Sequence, residues 1–569
     1  MNANKKLQSE VLKLLQKHVS KKQAEELLEK PPEEIGADLA LPCFAFAKKY
    51  RKNPAEIAKD IASKLNPSGL IREVRPVGPY VNFYADSEKI ASMVLKDVLK
   101  ERNAYGKSKT GKGKRLMVEY VQTNPYKAFH IGHVRNIALG ESLCRVLEST
   151  GNKIIRANYQ GDIGPHVAKA LWGLINIYNS KPPKDVDKGL WIGEVYRESN
   201  EKASLNQKVA EEIDEINKKL YDGDKKLLPL WKKGKKWSLD YFDKIYKDFG
   251  ANFDRLYMES EVEKPGRKIV KELHKKGIAE MSEGAMIVDL KKYNLPVFLV
   301  LRRDGIALYS TKDLALAEMQ EKEYHPDKII HVVGSEQKLH FQQLIKTIGI
   351  YNKKLADKEY HLSYELVILP SGKMKSREGK VILYGDLKRK MYALALKATK
   401  EKNPSLPVAQ HKKIAEQVAL GAIKYNMIMQ SPEKVIVFDW NQALDFQGNS
   451  APYVQYTHAR ACSILKKAKV KTIKDFDPSL LVDKKEIKLI KTISEFPQVV
   501  ENAAKDYRPH YIASYVHNLA SIFNEFYQTL PVLKADKNTA AARLALVKAT
   551  QITLKNALQL LGIEAPEKM

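Results

Sequence analysis

Cysteine is scarce. The 569 residues contain three, at Cys43, Cys144 and Cys462, with no CxxC pair. That excludes a disulfide framework and a thiolate zinc site, so no zinc and no resident metal are expected. Long apolar runs are missing as well, and none reaches the length of a membrane span. Residues Met1 to Ser20 follow an amphipathic helical pattern and lack the apolar core and cleavage site of a secretory signal. The expectation is a reduced, soluble, cytoplasmic chain with no membrane partner. Acidic residues are in deficit: 68 against 97 basic ones, a formal charge of +29. Such a surplus suits a polyanion, whether nucleic acid, nucleotide or anionic surface. A lysine-rich composition with no partner meaning is the plainer alternative. Apolar residues at 44% and charged residues at 29% are ordinary globular usage, which excludes wholesale disorder. The length gives a prior of about four domains.

Residues 1–105 read as a small α+β unit. Helical periodicity covers Leu7 to Leu28 and Pro54 to Leu65, strand-like runs cover Ile71 to Val77 and Tyr80 to Tyr84, and a helix covers Glu88 to Leu99. Lys107 to Arg115 is rich in glycine and lysine and reads as a linker. From Leu116 the pattern changes. A buried strand to Val121, a break at Asn124-Pro125, a helix from Gly132 to Thr150 closed by Gly151, and a strand from Lys153 make a βαβ unit and hence a parallel sheet. The charged, tryptophan-bearing stretch of about 180–285 reads as a mostly helical insertion. Strand-like runs resume at Ala285 to Asp289, Val297 to Leu301, Lys328 to Val333 and Glu365 to Leu369. From about 410 the chain is almost entirely helical.

Two segments carry chemistry. The first, Asn124 to His133, lies where strand hands over to helix, a place that favours an anion. His130 and His133 are three apart and can face one ligand, and Gly132 leaves room for a flat base against the backbone. Two histidines that merely cap a helix are the plainer reading. The second, Pro370 to Lys380, follows a strand and is basic. Lys373, Lys375, Arg377 and Lys380 suit a triphosphate, although alone the segment reads as a solvated loop.

Together these segments resemble the paired signatures of class I aminoacyl-tRNA synthetases. His130-Ile131-Gly132-His133 matches the first letter for letter. Lys373-Met374-Lys375-Ser376-Arg377 is similar to the second, with Ser376 where a lysine is usual. The resemblance narrows to the arginyl-tRNA synthetases, many of which lack that lysine and carry another three residues before the first signature histidine, here Lys127. It implies ATP with Mg²⁺, binding at His130, Gly132, His133 and Lys373 to Arg377, with Lys127, His130, His133, Lys373 and Lys375 acting on the phosphates.

A guanidinium asks for a carboxylate in a planar arrangement. Tyr309 and Asp313 stand one helical turn apart and are similar to the family's guanidinium-reading pair. By the same resemblance, Glu119, Gln122, Thr123, Asn124, His133 and Gln337 complete the arginine site, with Asn124 facing the α-amino group. The segment Gly161-Asp162-Ile163-Gly164-Pro165-His166 departs from the family's commoner form, which has tryptophan at the third position. Asp445 to Arg460 resembles the start of the family's anticodon-binding domain. Tyr453 and Tyr456, one turn apart, suit stacking on unpaired bases. Ala542 to Val547 and the ending at Met569 are also similar to that domain, and Asn82 matches a tRNA contact in the N-terminal domain.

The fold expected is therefore multidomain α/β. An N-terminal additional tRNA-binding domain (1–105) precedes a Rossmann-type parallel-sheet catalytic domain (106–409, with the insertion), and an all-α anticodon-binding domain (410–569) follows. The activity expected is an arginine–tRNA ligase acting on L-arginine, ATP and tRNA-Arg, as a monomer in keeping with most of the family. A non-catalytic RNA-binding relative would not need the histidines, glycine and Lys127. A ligase for another amino acid would not need the Tyr309/Asp313 pair. A nucleotidyltransferase would not need the long helical tail.

Overall fold

A computed structural model describes residues 2–303, 305, 307–370, 381–469, 473 and 475–569. The helical stretch expected over 7–28 is two helices, α1 (Ala3–Leu15) and α2 (Lys21–Leu27). Ser20 divides them, because its side chain accepts a hydrogen bond from the Gln23 amide and starts a new helix. Then come β1 (Leu39–Pro42), α3 (Ala47–Tyr50), α4 (Pro54–Ala62), β2 (Ile71–Val77), β3 (Tyr80–Ala85) and α5 (Ser87–Glu101). The strands form an antiparallel sheet in the order β1-β3-β2. β1 is only four residues long and ends in proline, too short for alternation to reveal it.

The middle of the chain runs β4 (Arg115–Glu119), α6 (Ile131–Ser149), β5 (Lys153–Gln160), α7 (Pro165–Asn176), α8 (Lys188–Leu205), α9 (Gln207–Tyr221), α10 (Leu228–Phe249), β6 (Arg255–Met258) and α11 (Glu259–Lys275). It continues through β7 (Glu280–Ser282), β8 (Ala285–Val288), β9 (Phe298–Leu301), α12 (Tyr309–Tyr324), β10 (Lys328–Gly334), α13 (Lys338–Tyr351), α14 (Lys353–Ala356), β11 (Glu359–Tyr364) and β12 (Val367–Ile368). Among the described residues one parallel sheet has the order β11-β10-β4-β5-β6. The chain winds outward from β4 to one edge, returns, and starts the other half at β10. That is the doubly wound arrangement, and the crevice at its switch point, between β4 and β10, is where such sheets bind ligands.

One expectation needs correction here. The insertion does not reach 285: its helices end at Phe249, and Arg255–Met258 is an edge strand of the parallel sheet. Four residues carry no legible period, so charge in the flanking helices hid it. The strand-like runs at 285–289 and 297–301 are strands, β8 and β9. β7, β8 and β9 form a separate antiparallel sheet beneath α12.

The remainder comprises α15 (Tyr384–Lys402), α16 (Val408–Ile428), β13 (Ile436–Val437), α17 (Trp440–Ala443), α18 (Ala451–Lys467), α19 (Lys484–Asp506), α20 (His510–Thr529) and α21 (Lys537–Leu560). α16 packs on α6 and α15 as well as on α18 and α20, so it welds sheet to bundle. The division expected after residue 409 falls in its first turn. The N-terminal unit docks on the bundle through Lys5–Glu501 and Lys491–Asp38, both 2.6 Å, and through Tyr105, whose hydroxyl donates to the Ile493 carbonyl at 2.9 Å. One apolar cluster therefore runs through all three parts.

Inside the bundle, Glu486 is fully buried at 0% exposure. Its carboxylate accepts from the Asp483 amide at 2.9 Å and from Arg543 Nε at 2.7 Å. Removing the arginine leaves a buried charge uncompensated, which costs about 3–5 kcal/mol. Arg543→Ala is expected to lower the urea-unfolding midpoint of the protein accordingly. An exposed lysine changed to alanine, such as Lys21→Ala, is expected to leave it nearly unchanged.

Candidate active site

Everything at the switch point depends on how the chain leaves β4. Between Glu119 and the start of α6 three non-glycine residues have positive φ: Val121 at 81°, Gln122 at 44° and Tyr126 at 68°. For a β-branched valine this is a strained conformation, costing on the order of 1–3 kcal/mol, so the surroundings must hold it. Asn136 of α6 does part of that. Its Oδ1 accepts from the Val121 amide at 2.6 Å. Its Nδ2 donates to Gln122 Oε1 at 3.0 Å, to the Val332 carbonyl at 2.8 Å and to the Tyr364 hydroxyl at 3.1 Å. Asn124 Oδ1 accepts from the Gly161 amide at 2.7 Å, tying the loop to the end of β5.

At the helix start, His130 is the cap. Its Nδ1 accepts from the Gly132 amide, and the His130 amide donates to His133 Nδ1, both at 3.2 Å. The two rings stack with centroids 3.8 Å apart. A Cβ at Gly132 would press on the His130 ring at 3.0 Å. Burial, and then the nearby Lys127 ammonium, push the His130 imidazole down to about 4; burial and the neighbouring His130 push His133 well below its ordinary value. Both rings are therefore neutral at neutral pH. Since each Nδ1 accepts, each Nε2 carries the proton and can donate to a phosphate oxygen. Lys127 is itself lowered by burial, with Glu259 acting against that.

Of the second signature, Lys373, Met374, Lys375, Ser376 and Arg377 lie outside the described residues. The chain just beyond them is described, and it pairs with the first signature. The Ile131 amide donates to the Ile382 carbonyl at 3.0 Å, and the Tyr384 amide to the Phe129 carbonyl at 2.9 Å.

On the other side of the loop is a cavity of about 250 Å³. Glu119, Gln122, Asn124, Tyr309, Asp313 and Gln337 all line it, joined by Tyr159, Glu259, His331, His340 and Glu359. Tyr309 is 56% exposed at its rim, which excludes a core role. Thr123 and His133 are not part of the wall; Thr123 is fully buried, its hydroxyl without a partner.

The second group of five was not anticipated. His340 Nε2 lies 2.6 Å from Asp313 Oδ2, and its ring stands edge-on to Tyr309 at 4.6 Å. Its place one turn after Gln337 was the available signal. His331 lies between two carboxylates, 2.6 Å from Glu359 and 3.4 Å from Glu119. Burial lowers its pKa, but Glu119 and then Glu359 outweigh this and raise it to about 10, so it is an imidazolium. Burial raises Glu119, but His331 and then a 2.6 Å hydrogen bond from Gln320 take it below the usual carboxylate range. Glu259, whose pKa burial raises, pairs with Lys312 at 2.6 Å. Four carboxylates face two cations, so the cavity suits a cationic, many-donor ligand. Among the described residues no three His, Cys, Asp or Glu side chains are grouped to hold a metal.

The residues of the departing motif are tied into the fold by hydrogen bonds. Asp162 is fully buried and accepts from Lys235 at 2.9 Å, from the Ser260 amide at 2.9 Å and from its hydroxyl at 2.8 Å. His166 lies 2.8 Å from the Gly161 carbonyl, and burial, with Lys127, takes its pKa down to about 3. Among the residues matched to tRNA contacts, Asn82 lies in β3, the central strand of the β1-β3-β2 sheet, and is 2% exposed. Tyr453 and Tyr456 are half-buried on α18. Arg460 and Lys402 lie 4.9 and 5.4 Å from the Tyr456 ring, and His517 lies 5.3 Å from Tyr453. Met569 packs half-buried against the bundle.

A histidine whose pKa is raised in the fold contributes stability that is fully present below the ordinary value of 6.5 and is lost as pH rises through about 10. The stability difference between the parent and His331→Gln is therefore expected to shrink as unfolding midpoints are taken from about pH 6 to about pH 10.

Comparison with known proteins agrees with this geometry. The family described as tRNA synthetases class I (R), catalytic domain, matches residues 94–440. The arginyl tRNA synthetase N terminal domain matches 3–85, and the DALR anticodon binding domain matches 454–569. The arginine–tRNA ligase of Clostridioides difficile is 37% identical over 560 residues, 97% of each chain. That of Clostridium perfringens is 38% identical over 552, 96% of each. The solved Thermus thermophilus arginyl-tRNA synthetase superposes with a TM-score of 0.83 at 26% identity over the full length of both. Among the described residues no helix is long and apolar enough to cross a membrane. With that catalytic-domain family matching more than half of the chain and relatives of 37% and 38% identity covered nearly end to end, the chain belongs to the arginyl-tRNA synthetases, class I ligases that activate arginine with ATP and transfer it to tRNA.

Proposed function

We propose that the two sides of the Glu119–His133 loop divide the reaction between them. The cavity side takes arginine, with Asp313 and Tyr309 on the guanidinium, Glu119, Gln122 and Gln337 around the chain, and Asn124 toward the α-amino group. The helix side takes ATP, entering as its Mg²⁺ complex, with the protonated Nε2 atoms of His130 and His133 donating to the phosphates. The arginine carboxylate attacks the α-phosphorus in line and pyrophosphate leaves. Lys127, with Lys373 and Lys375, balances the charge that develops on the leaving group, and no nucleophilic side chain is required. The 2′-hydroxyl of the terminal adenosine then takes the arginyl group. Tyr453, Tyr456 and Met569 serve the anticodon end of tRNA-Arg, and the enzyme acts as a monomer in the cytoplasm.

The supporting observation is that six residues from three distant stretches, chosen for arginine on sequence grounds, line one acidic cavity at the switch point. Lysine presents a point charge and leaves part of the carboxylate–phenol arrangement unpaired, so discrimination against it needs no editing step.

Arginine-dependent ATP–pyrophosphate exchange is the test. Exchange is expected with arginine, not with lysine, and only when tRNA-Arg is present. Asp313→Asn is expected to lose roughly a hundredfold in kcat/KM for arginine, about 3 kcal/mol. An Asp313→Lys protein that still charged tRNA with arginine would overturn the assignment.

A further inference from the structure

The insertion between β5 and β6 takes no part in the roles above, yet it grips the loop before the signature at three consecutive residues. α8 sets Gly193 against the loop backbone: a Cβ there would stand 3.1 Å from the Ala128 amide nitrogen and 3.2 Å from its Cβ, so the neighbour would have to give way. One turn later on the same helix, the Tyr196 ring lies beneath Lys127, with the ammonium 5.8 Å from the centroid. α10 treats Tyr126 in the same manner. A Cβ at Gly234 would stand 2.6 Å from the Tyr126 ring. One turn on, Ser238 Oγ accepts from the Tyr126 amide at 2.9 Å, and the Trp231 carbonyl accepts from the Tyr126 hydroxyl. Tyr126 is one of the residues at positive φ, a conformation that needs such outside support.

The insertion is in turn fixed to the sheet. Lys235 of α10 reaches Asp162 at the end of β5, and the Trp231 indole donates to the Asp162 carbonyl at 2.7 Å. The path from sheet to Tyr126, the chain neighbour of Lys127, is thus made of hydrogen bonds.

We propose that the helical insertion is the mount of Lys127: Gly193 and Tyr196 of α8, with Gly234 and Ser238 of α10, hold residues 126–128 so that the ammonium faces the signature histidines, and they affect catalysis only through it. This rests on the reading of Lys127 given above. The mount residues are positioning residues. A lysine on a flexible four-carbon stem loses much of its freedom when it must meet a phosphate, and a preset geometry removes that loss from the reaction.

The test is tRNA-dependent ATP–pyrophosphate exchange by the full chain carrying Gly193→Ala or Tyr196→Leu, each alone and combined with Lys127→Met. Each single variant is expected to lower kcat about tenfold, with the KM for arginine and the melting temperature unchanged. On the Lys127→Met background each is expected to add less than about twofold. Tyr196→Leu keeps the test intact if Gly193→Ala does not fold. Effects that multiply with Lys127→Met, or single variants as active as the parent while Lys127→Met is impaired, overturn the mount and leave the reading of Lys127 standing. Lys127→Met as active as the parent overturns both.

Discussion

The turn out of β4 is the constraint on which the rest depends. Within fifteen residues the chain runs from Glu119 on the cavity wall to the stacked rings of His130 and His133, through a backbone that three residues hold at positive φ. Such a loop does not keep its shape alone. Asn136 holds it from α6, Gly161 from β5, and α8 and α10 from the insertion. Much of the protein around the site is the support of this one turn.

The second organising principle is charge compensation away from water. Glu119 and Glu359 would each be costly to bury alone, and His331 between them is charged because they are. Glu259 is matched by Lys312, and Asp313 is held by His340. The carboxylates that keep a free face are thereby fixed in direction before a ligand arrives. The same principle runs in reverse at the start of α6, where burial keeps His130 and His133 neutral. Neutral donors beside Lys127 stabilise an anion without adding mutual repulsion among three cations.

The described structure also explains why the parts act as one body. α16 belongs to both sheet and bundle, and Arg135 of α6 donates to the Leu366, Pro432 and Lys434 carbonyls, linking the signature helix to the start of the helical end. The chain leaving the second signature pairs with the first at Ile131 and Phe129. Residues 382–384 are therefore joined to the first signature through backbone hydrogen bonds.

What the sequence by itself determined is what neighbours along the chain decide. The βαβ unit, the His130 cap with His133 one turn on, the glycine between them, and the Tyr309/Asp313 pair all lie within one strand-to-helix junction or one helical turn, where spacing alone sets direction. The resemblance to known signatures then extended that reading to Glu119, Gln122, Asn124 and Gln337, which line one cavity. Tertiary structure decided the rest. Glu119 meets His331 because the β4–β10 register places them opposite each other. His340 reaches Asp313 across 27 residues, and Glu259 opens α11 directly after a strand too short to be seen. Tyr196 lies under Lys127 only because a helical excursion folds back. Asn82, polar and on a short strand, is buried by sheet packing that no local period reports. Periodicity states which face of an element is apolar. Which element lies against that face, and in what register, is set by packing between segments far apart in the chain.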